Sequence, residues 1–333
     1  MEAKETKPIT SPPKLMNAIT SGFNVIASNI TLILFPVMLD LFIWLGPKLR
    51  LQKILEPIIA NTNQTLQAYN TADMTELLKN AQEAWSLLIT RINLTSSIST
   101  FPLGIPSLLA GTESTNNPFG QSMSFEIPSI GIAIIVFLLL VAAGLIIGSV
   151  YLGMIAKKIS GRSGVINISI IGSQIINTFL LLLLIIGLLL ILIFPSLFVV
   201  SIFALFSPSL AQIILLIISF VLIWLLIPLV FSPHGIFLNQ LNVVKSIITS
   251  FRLVRLFLPG TGLFILISIL LAQGLDILWL AAPSNSWLTM IGIIGHAFIY
   301  TSLIAASFIY YQRGLEWMEN NLTQLATRFK KLL

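Results

Sequence analysis

Six uninterrupted apolar runs alternate along this chain with more polar stretches. They cover residues 25–45, 127–152, 168–194, 211–230, 258–280 and 287–311. Each reaches the roughly 18 residues that carry an α-helix across a bilayer. A β-barrel would alternate apolar and polar positions in segments of about ten, and these runs do not alternate. The pattern predicts an all-α, polytopic membrane protein of six transmembrane helices, arranged as three helical hairpins with interfacial amphipathic helices. Pro36 lies inside the first run and predicts a kink there. Pro195 ends the third run, and 195–208 reads as a charge-free connection that returns the chain.

Between the fourth and fifth runs, Ile247, Ile248, Phe251 and Val254 recur at helical spacing beside Lys245, Arg252 and Arg255, with no acid among them. A basic amphipathic helix of this kind lies in the cytoplasmic interface. The expectation is that its three cations meet lipid headgroups while Ile247, Phe251 and Val254 pack beneath. Nearby Pro233-His234-Gly235 reads either as a proline ending the span with a glycine turning the chain, or as a histidine facing a lipid phosphate. The skeleton small-Ile-x-x-small occurs three times, as Ala18 to Gly22, Ser169 to Ser173 and Ser246 to Ser250. Each copy precedes or opens a hairpin, which fits a threefold internal repeat with an insertion in the first hairpin.

The long polar insertion carries two candidate helices. Leu51, Ile54, Leu55, Ile58 and Ile59 share one face. A second helix is expected from near Asp73, with Glu76 completing a capping-box-like pair. Trp85 and Leu88 extend its apolar stripe, and the proline-broken segment 101–106 dips toward the interface. The resulting division is a disordered cytoplasmic tail (1–13), an interfacial helix with the first span (14–45) and an extracytoplasmic helical cap (46–126). A five-span membrane domain (127–311) and a cytoplasmic amphipathic helix (312–333) follow.

Composition agrees with this class: 56% of residues are hydrophobic and 9% charged, against about 25% charged in ordinary soluble domains. The net charge of +6 is read as basic loops held against anionic lipid. No basic patch interleaved with aromatics points to nucleic acid. There are no cysteines, which excludes thiolate catalysis and Cys-ligated metal. Basic residues concentrate before the first run, after the second, after the fourth and in the C-terminal tail. The positive-inside rule therefore predicts a multi-pass protein of the cytoplasmic membrane with both termini cytoplasmic.

Ionisable residues within spans are candidates for function, because charge in lipid is expensive. Here they are Asp40, Asp276 and His296, with Gln273, Tyr300, Gln174 and Asn177 as polar companions. Gln273 and Asp276 share a helix face at i,i+3, as do His296 and Tyr300 at i,i+4. A carboxylate beside an imidazole can relay protons or hold a cation. The plainer reading puts Asp40 and Asp276 at helix ends within reach of water, and makes His296 a packing residue. Walker A, H-E-x-x-H and Gly-x-Ser-x-Gly are absent. Around Asp276, the two glycine positions of the intramembrane aspartyl protease motif are Gln273 and Leu275. No cofactor or metal is expected.

One stretch resembles a known family. The pattern is Phe231-Ser232-Pro233, then Val244-Lys245-Ser246-Ile247, then Ser250-Phe251-Arg252-Leu253-Val254-Arg255, closing on Phe308-Ile309-Tyr310-Tyr311. It is similar to the uncharacterised bacterial membrane family named for the membrane domain of glycerophosphoryl diester phosphodiesterases, and to YciC-like proteins. The resemblance covers about half of the chain and implies a multi-span integral membrane protein without the catalytic domain. It supplies no site residues.

Three functions follow as expectations. The first is a non-enzymatic envelope protein that organises membrane lipids or partner membrane proteins. The second is a transporter of a small or lipid-like solute, which needs Gln174, Asn177, Gln273, Asp276 and His296 to converge on one water-accessible cavity. A membrane-embedded enzyme, the third, needs Asp40 and Asp276 to share a cavity. The topology is directly testable in this Cys-free chain. Single cysteines at Ser124 and Ser284 should react with an impermeant thiol reagent in intact cells, and one at Ser160 should not. Labelling at Ser160 inverts the orientation.

Overall fold

The computed structural model describes residues 12–68, 82–86, 88–89, 91–112, 116–162 and 168–332. Among the described residues the structure is predominantly helical, with almost no sheet. Its principal helices are α1 (Leu15–Ala27), α2 (Leu34–Leu45), α3 (Gln52–Ala68), α4 (Ile130–Ile159), α5 (Ile168–Phe206), α6 (Pro208–Leu226), α7 (Ser232–Asn239), α8 (Val243–Leu256), α9 (Leu258–Trp279) and α10 (Thr289–Leu332). Among the described residues, five helices are long and apolar enough to cross a membrane, or six if α1 and the segment Ile30–Leu45 form one broken span. The expected N-terminal tail to residue 11, and the expected helix start at Asp73 with Glu76, lie outside the described residues.

Several boundaries differ from the sequence expectation, each for a local reason. The first run is interrupted at Ser28 and Asn29, not at Pro36. Asn29 donates its side-chain amide to the Val25 carbonyl (2.8 Å) and closes the end of α1. Pro36 sits in the first turn of α2, where a missing N–H leaves no intrahelical bond unmade. Pro195 does not end a helix either: α5 continues through it to Phe206. The next residue, Ser196, donates to the Leu192 carbonyl (2.7 Å), the kind of local rescue that lets membrane helices carry proline. The expected loop 195–208 shrinks to Ser207, which caps α6 by accepting from the Leu210 N–H. The C-terminal segment is no separate surface helix, since α10 runs unbroken for 44 residues, about 66 Å at 1.5 Å per residue.

Two compact units divide the chain: Met1–Asn29, Leu152–Leu271 and Ser302–Leu333 form one, and Ile30–Tyr151 with Ala272–Thr301 the other. In the first, the C-terminal part of α10 is the common support. A Cβ added at Gly22 of α1 would stand 2.5 Å from the Ala306 nitrogen and 2.6 Å from the Ser302 carbonyl. Phe264 of α9 stacks on Tyr310 with ring centroids 4.4 Å apart. His234 of α7 lies against Phe308 (4.4 Å) and bonds the Ser307 hydroxyl (2.7 Å). His234 is therefore held inside the protein and does not face a lipid phosphate. Pro233 opens α7. Gly235 does not turn the chain, for it lies within α7 where a side chain would strike Ser246 and Tyr311. The turn belongs to Gln240, at φ 55°, and Asn242 then caps α8 by accepting from the Lys245 N–H (3.0 Å).

The buried face of α8 is Ser246, Ser250, Leu253 and Val254. Phe251, expected to pack beneath, is 46% exposed. Ser250 donates to the Pro228 carbonyl (2.5 Å) and Ser246 to the Ser232 carbonyl.

In the second unit, strand β1 (Lys48–Arg50) pairs in parallel with β4 (Ser124–Glu126), and β2 (Asn116–Asn117) forms a small hairpin with β3 (Gly120–Gln121). Leu94, Ile127 and Ala133 make a core against which Leu49, Leu51 and Ile54 pack. The segment expected to dip into the interface packs into protein instead. Leu103 and Ile105 are 3% exposed, and a Cβ at Gly148 of α4 would meet the Gly104 Cα at 2.5 Å. Trp85 and Leu88, expected on an apolar stripe, are both 49% exposed.

The burial of α8 makes a prediction. Ser250→Leu should destabilise the detergent-solubilised protein by about 1–3 kcal/mol through overpacking, while Phe251→Gln stays within about 0.5 kcal/mol. Thermal unfolding of both variants reads the difference, and the reverse order would place Phe251 on the packed face.

Candidate functional site

Four of the seven intramembrane candidates meet. Helices α9 and α10 each contribute a pair, Gln273 with Asp276 and His296 with Tyr300, as their i,i+3 and i,i+4 spacings allow. The His296 Nδ1 lies 2.7 Å from one Asp276 oxygen. The Tyr300 hydroxyl donates to the other (2.7 Å) and accepts from the Gln273 amide (3.1 Å). The His296 and Tyr300 rings are 4.0 Å apart, and Phe101 approaches Tyr300 edge-on at 6.0 Å. His296 is 2% exposed at its side chain and Asp276 16%.

The hydrogen-bond accounting is nearly closed. With Asp276 as a carboxylate accepting at both oxygens, His296 must present N–H at Nδ1, which leaves Nε2 to accept or carry a second proton. That Nε2 is buried and has no hydrogen-bond partner.

Gln174 and Asn177 do not join it. Gln174 donates to the Phe237 carbonyl (3.4 Å), and Asn177 accepts from the Val243 N–H (2.9 Å) while donating to the Ser173 carbonyl (2.8 Å). Both tie α5 to the α7–α8 connection. They line a cleft of about 170 Å³ with Ser169, Ser173, Ile236 and Gln240.

Asp40 is not at a wet helix end. It is fully buried, and its carboxylate accepts from the Ser107 hydroxyl, the Leu108 N–H (3.0 Å) and the Leu109 N–H (3.1 Å). Its donors come from the 107–109 loop. Sequence reading missed this latch, because the spacing of 67 positions to Ser107 carries no periodic signal. The sequence suits Trp44 to an interfacial belt but does not reveal its contacts: its indole donates to the Ser284 carbonyl (2.7 Å) and its ring meets Trp287.

Lys245, Arg252 and Arg255 are all exposed on α8, on positions that alternate with its buried face. Among the described residues, no group of three or more His, Cys, Asp or Glu side chains is arranged to hold a metal.

If the Asp276 network acts as a unit, Asp276→Asn and Tyr300→Phe should be non-additive. Each should cost about 1–3 kcal/mol, with a coupling of at least about 0.5 kcal/mol in a double-mutant cycle of thermal unfolding. Strict additivity would mean that the two bonds are independent. Comparison with protein-family models, with curated proteins and with solved structures finds no match for this chain, so the chemistry of its side chains carries the functional reading.

Proposed function

We propose that this is a non-enzymatic integral membrane protein that organises lipids or partner proteins at the cell membrane. The observation that carries the reading is how its polar groups are used. Asp40, Gln174 and Asn177 each tie one piece of this chain to another, whereas Lys245, Arg252 and Arg255 remain exposed. Groups that would do chemistry are engaged in holding the protein together, and groups that would meet anionic headgroups are available. Six spans in three hairpins with both termini cytoplasmic complete the proposal, supported by the distribution of basic loops.

A second reading draws on one observation, the buried Asp276–His296 pair with its unpartnered Nε2. It makes the protein a transporter of a small or lipid-like solute. Against it, Gln174 and Asn177 serve a different network, so the five residues that such a site requires do not act together.

Each basic residue close to an anionic leaflet contributes about 1 kcal/mol, roughly fivefold in affinity. Native mass spectrometry of the full chain released from phosphatidylglycerol nanodiscs should therefore find several-fold less bound anionic lipid in an Arg252→Gln, Arg255→Gln variant. Undiminished lipid in the variant, together with proton-coupled solute uptake abolished by Asp276→Asn in proteoliposomes, would favour the transporter.

A further inference from the structure

In the second unit a row of aromatic rings runs from the interior to the surface, at the end where α9 gives way to α10. Trp44, near the end of α2, is fully buried, and its indole is fixed on the Ser284 carbonyl (2.7 Å). Trp287 meets Trp44 edge-on at 5.9 Å and is 54% exposed. Phe119 meets Trp287 edge-on at 5.4 Å and is 76% exposed. The connection that carries Trp287 is closed on itself. The Thr289 hydroxyl donates to the Pro283 carbonyl (2.9 Å), and the Leu288 N–H to the Ser286 hydroxyl (3.2 Å). The row therefore has a fixed inner end.

Local chemistry presents Phe119 at a tip. It lies in the two-residue turn Pro118-Phe119 between β2 and β3. Pro118 presets its own φ, and the Asn117 side-chain oxygen accepts from the Phe119 N–H (2.9 Å). Gly120 then takes φ 115°, a conformation open to glycine. Residues 116–125 carry no charge, and Met123, just beyond β3, is 74% exposed. A hairpin with two residues per strand is too small to support itself, so an apolar tip of this kind needs something to lie in.

The level of the tip decides what it meets. Helix α9 ends at Trp279 and α10 starts at Thr289, so Trp287 and Leu288 stand where two span-length helices leave the apolar layer. Indole rings favour that boundary. Leu288, and Ile277 and Leu278 in the last turn of α9, are exposed there. A phenyl ring in contact with Trp287 lies within one side chain of the same boundary. We infer that the β2–β3 tip is a membrane-binding foot, in which Phe119 inserts among lipid headgroups and upper acyl carbons beside Trp287. The tip offers a protein partner no charge by which to be recognised, whereas a lipid layer needs only apolar surface at that depth. The segment between α2 and α4 thereby gains a hold of its own on the bilayer. The inference rests on α9 and α10 crossing the membrane and not on the cations of α8, so either can fail without the other.

The test uses the cysteine-free full chain in phosphatidylcholine proteoliposomes, with single cysteines Phe119→Cys, Leu288→Cys and Leu139→Cys labelled with the dye NBD. Leu288 marks the boundary, and Leu139 lies about 14 Å into α4. In a hydrocarbon core of about 30 Å, 5-doxyl lipid should quench several-fold more than 12-doxyl lipid at 119 and 288, and the order should reverse at 139. Water-like emission at 119, quenched by iodide and by neither lipid, overturns the inference. Blue-shifted emission that neither lipid quenches means that protein, a second copy or another chain, covers the tip, and overturns it too. Amide exchange of unlabelled variants in phosphatidylcholine nanodiscs gives a second reading. Phe119→Ser should exchange residues 116–121 several-fold faster than wild type, and Phe119→Leu, which keeps an apolar tip without the ring contact, should stay protected. Both should unfold at the wild-type temperature, as suits an exposed position. Equal loss of protection in the two variants assigns it to the Trp287 contact and overturns the foot.

Discussion

Lipid gives apolar helices no hydrophobic reason to associate, so close approach of small residues has to supply the packing energy. Helix α10 is where this chain meets that constraint. Of its most apolar window, 61% lies inside protein, against at most 17% for each of the other four span-length helices. In the first unit, α1 comes down on α10 through Gly22, and α8 through Leu253 against Gly314. In the second, Trp279 of α9 lies over Gly292 and Gly295, where a Cβ at Gly295 would stand 2.8 Å from the indole. A methyl at Gly22 meets backbone, which cannot step aside as a flexible side chain can. The fold therefore depends on what is missing from these positions more than on what fills them.

Polar side chains complete what small ones begin. Ser246 and Ser250 donate to carbonyls at Ser232 and Pro228, where prolines at 228 and 233 interrupt the regular ladder. Tyr151 bonds Thr301 across α4 and α10 (2.9 Å). Backbone carbonyls freed by broken helices must find donors inside the protein when no water is near. This also explains how Asp40 tolerates burial: two backbone N–H groups and a hydroxyl surround its carboxylate.

The helical membrane class was legible because hydropathy over 20-residue windows is a strong, local signal. So was the Asp276–His296–Tyr300–Gln273 cluster, since a short connection between two helices forces their polar faces together. What sequence reading got wrong follows from one inversion. In a soluble helix the large apolar stripe marks the buried face. In α8 the large residues Ile248 and Phe251 are exposed, at 43% and 46%, while Ser246 and Ser250 are buried beside Leu253 and Val254, because the approach of α8 to the Ser232 and Pro228 carbonyls leaves room only for small side chains at those two positions. Pro195 misled in the same direction: an end signal in water becomes a tolerated defect in an apolar helix with Ser196 beside it. The Asp40 latch and the Trp44 contact were invisible because they join residues 67 and 240 positions apart.

The shared small-Ile-x-x-small skeleton brings these arguments together. In the first copy, Ala18 and Gly22 are buried, and Gly22 meets α10. In the third, Ser246 and Ser250 are buried against the chain just before α8. In the second, Ser169 and Ser173 are exposed, and the buried residues are Gln174, Thr178 and Leu181, shifted one position around α5. A rotation of about 100° follows from a shift of one residue in a helix of 3.6 per turn. It carries the small face away from protein and onto the cleft of about 170 Å³ at Ser169, Ser173 and Asn177. Turned inward, Gln174 donates to the Phe237 carbonyl (3.4 Å). Like sequences thus reach unlike environments within one chain.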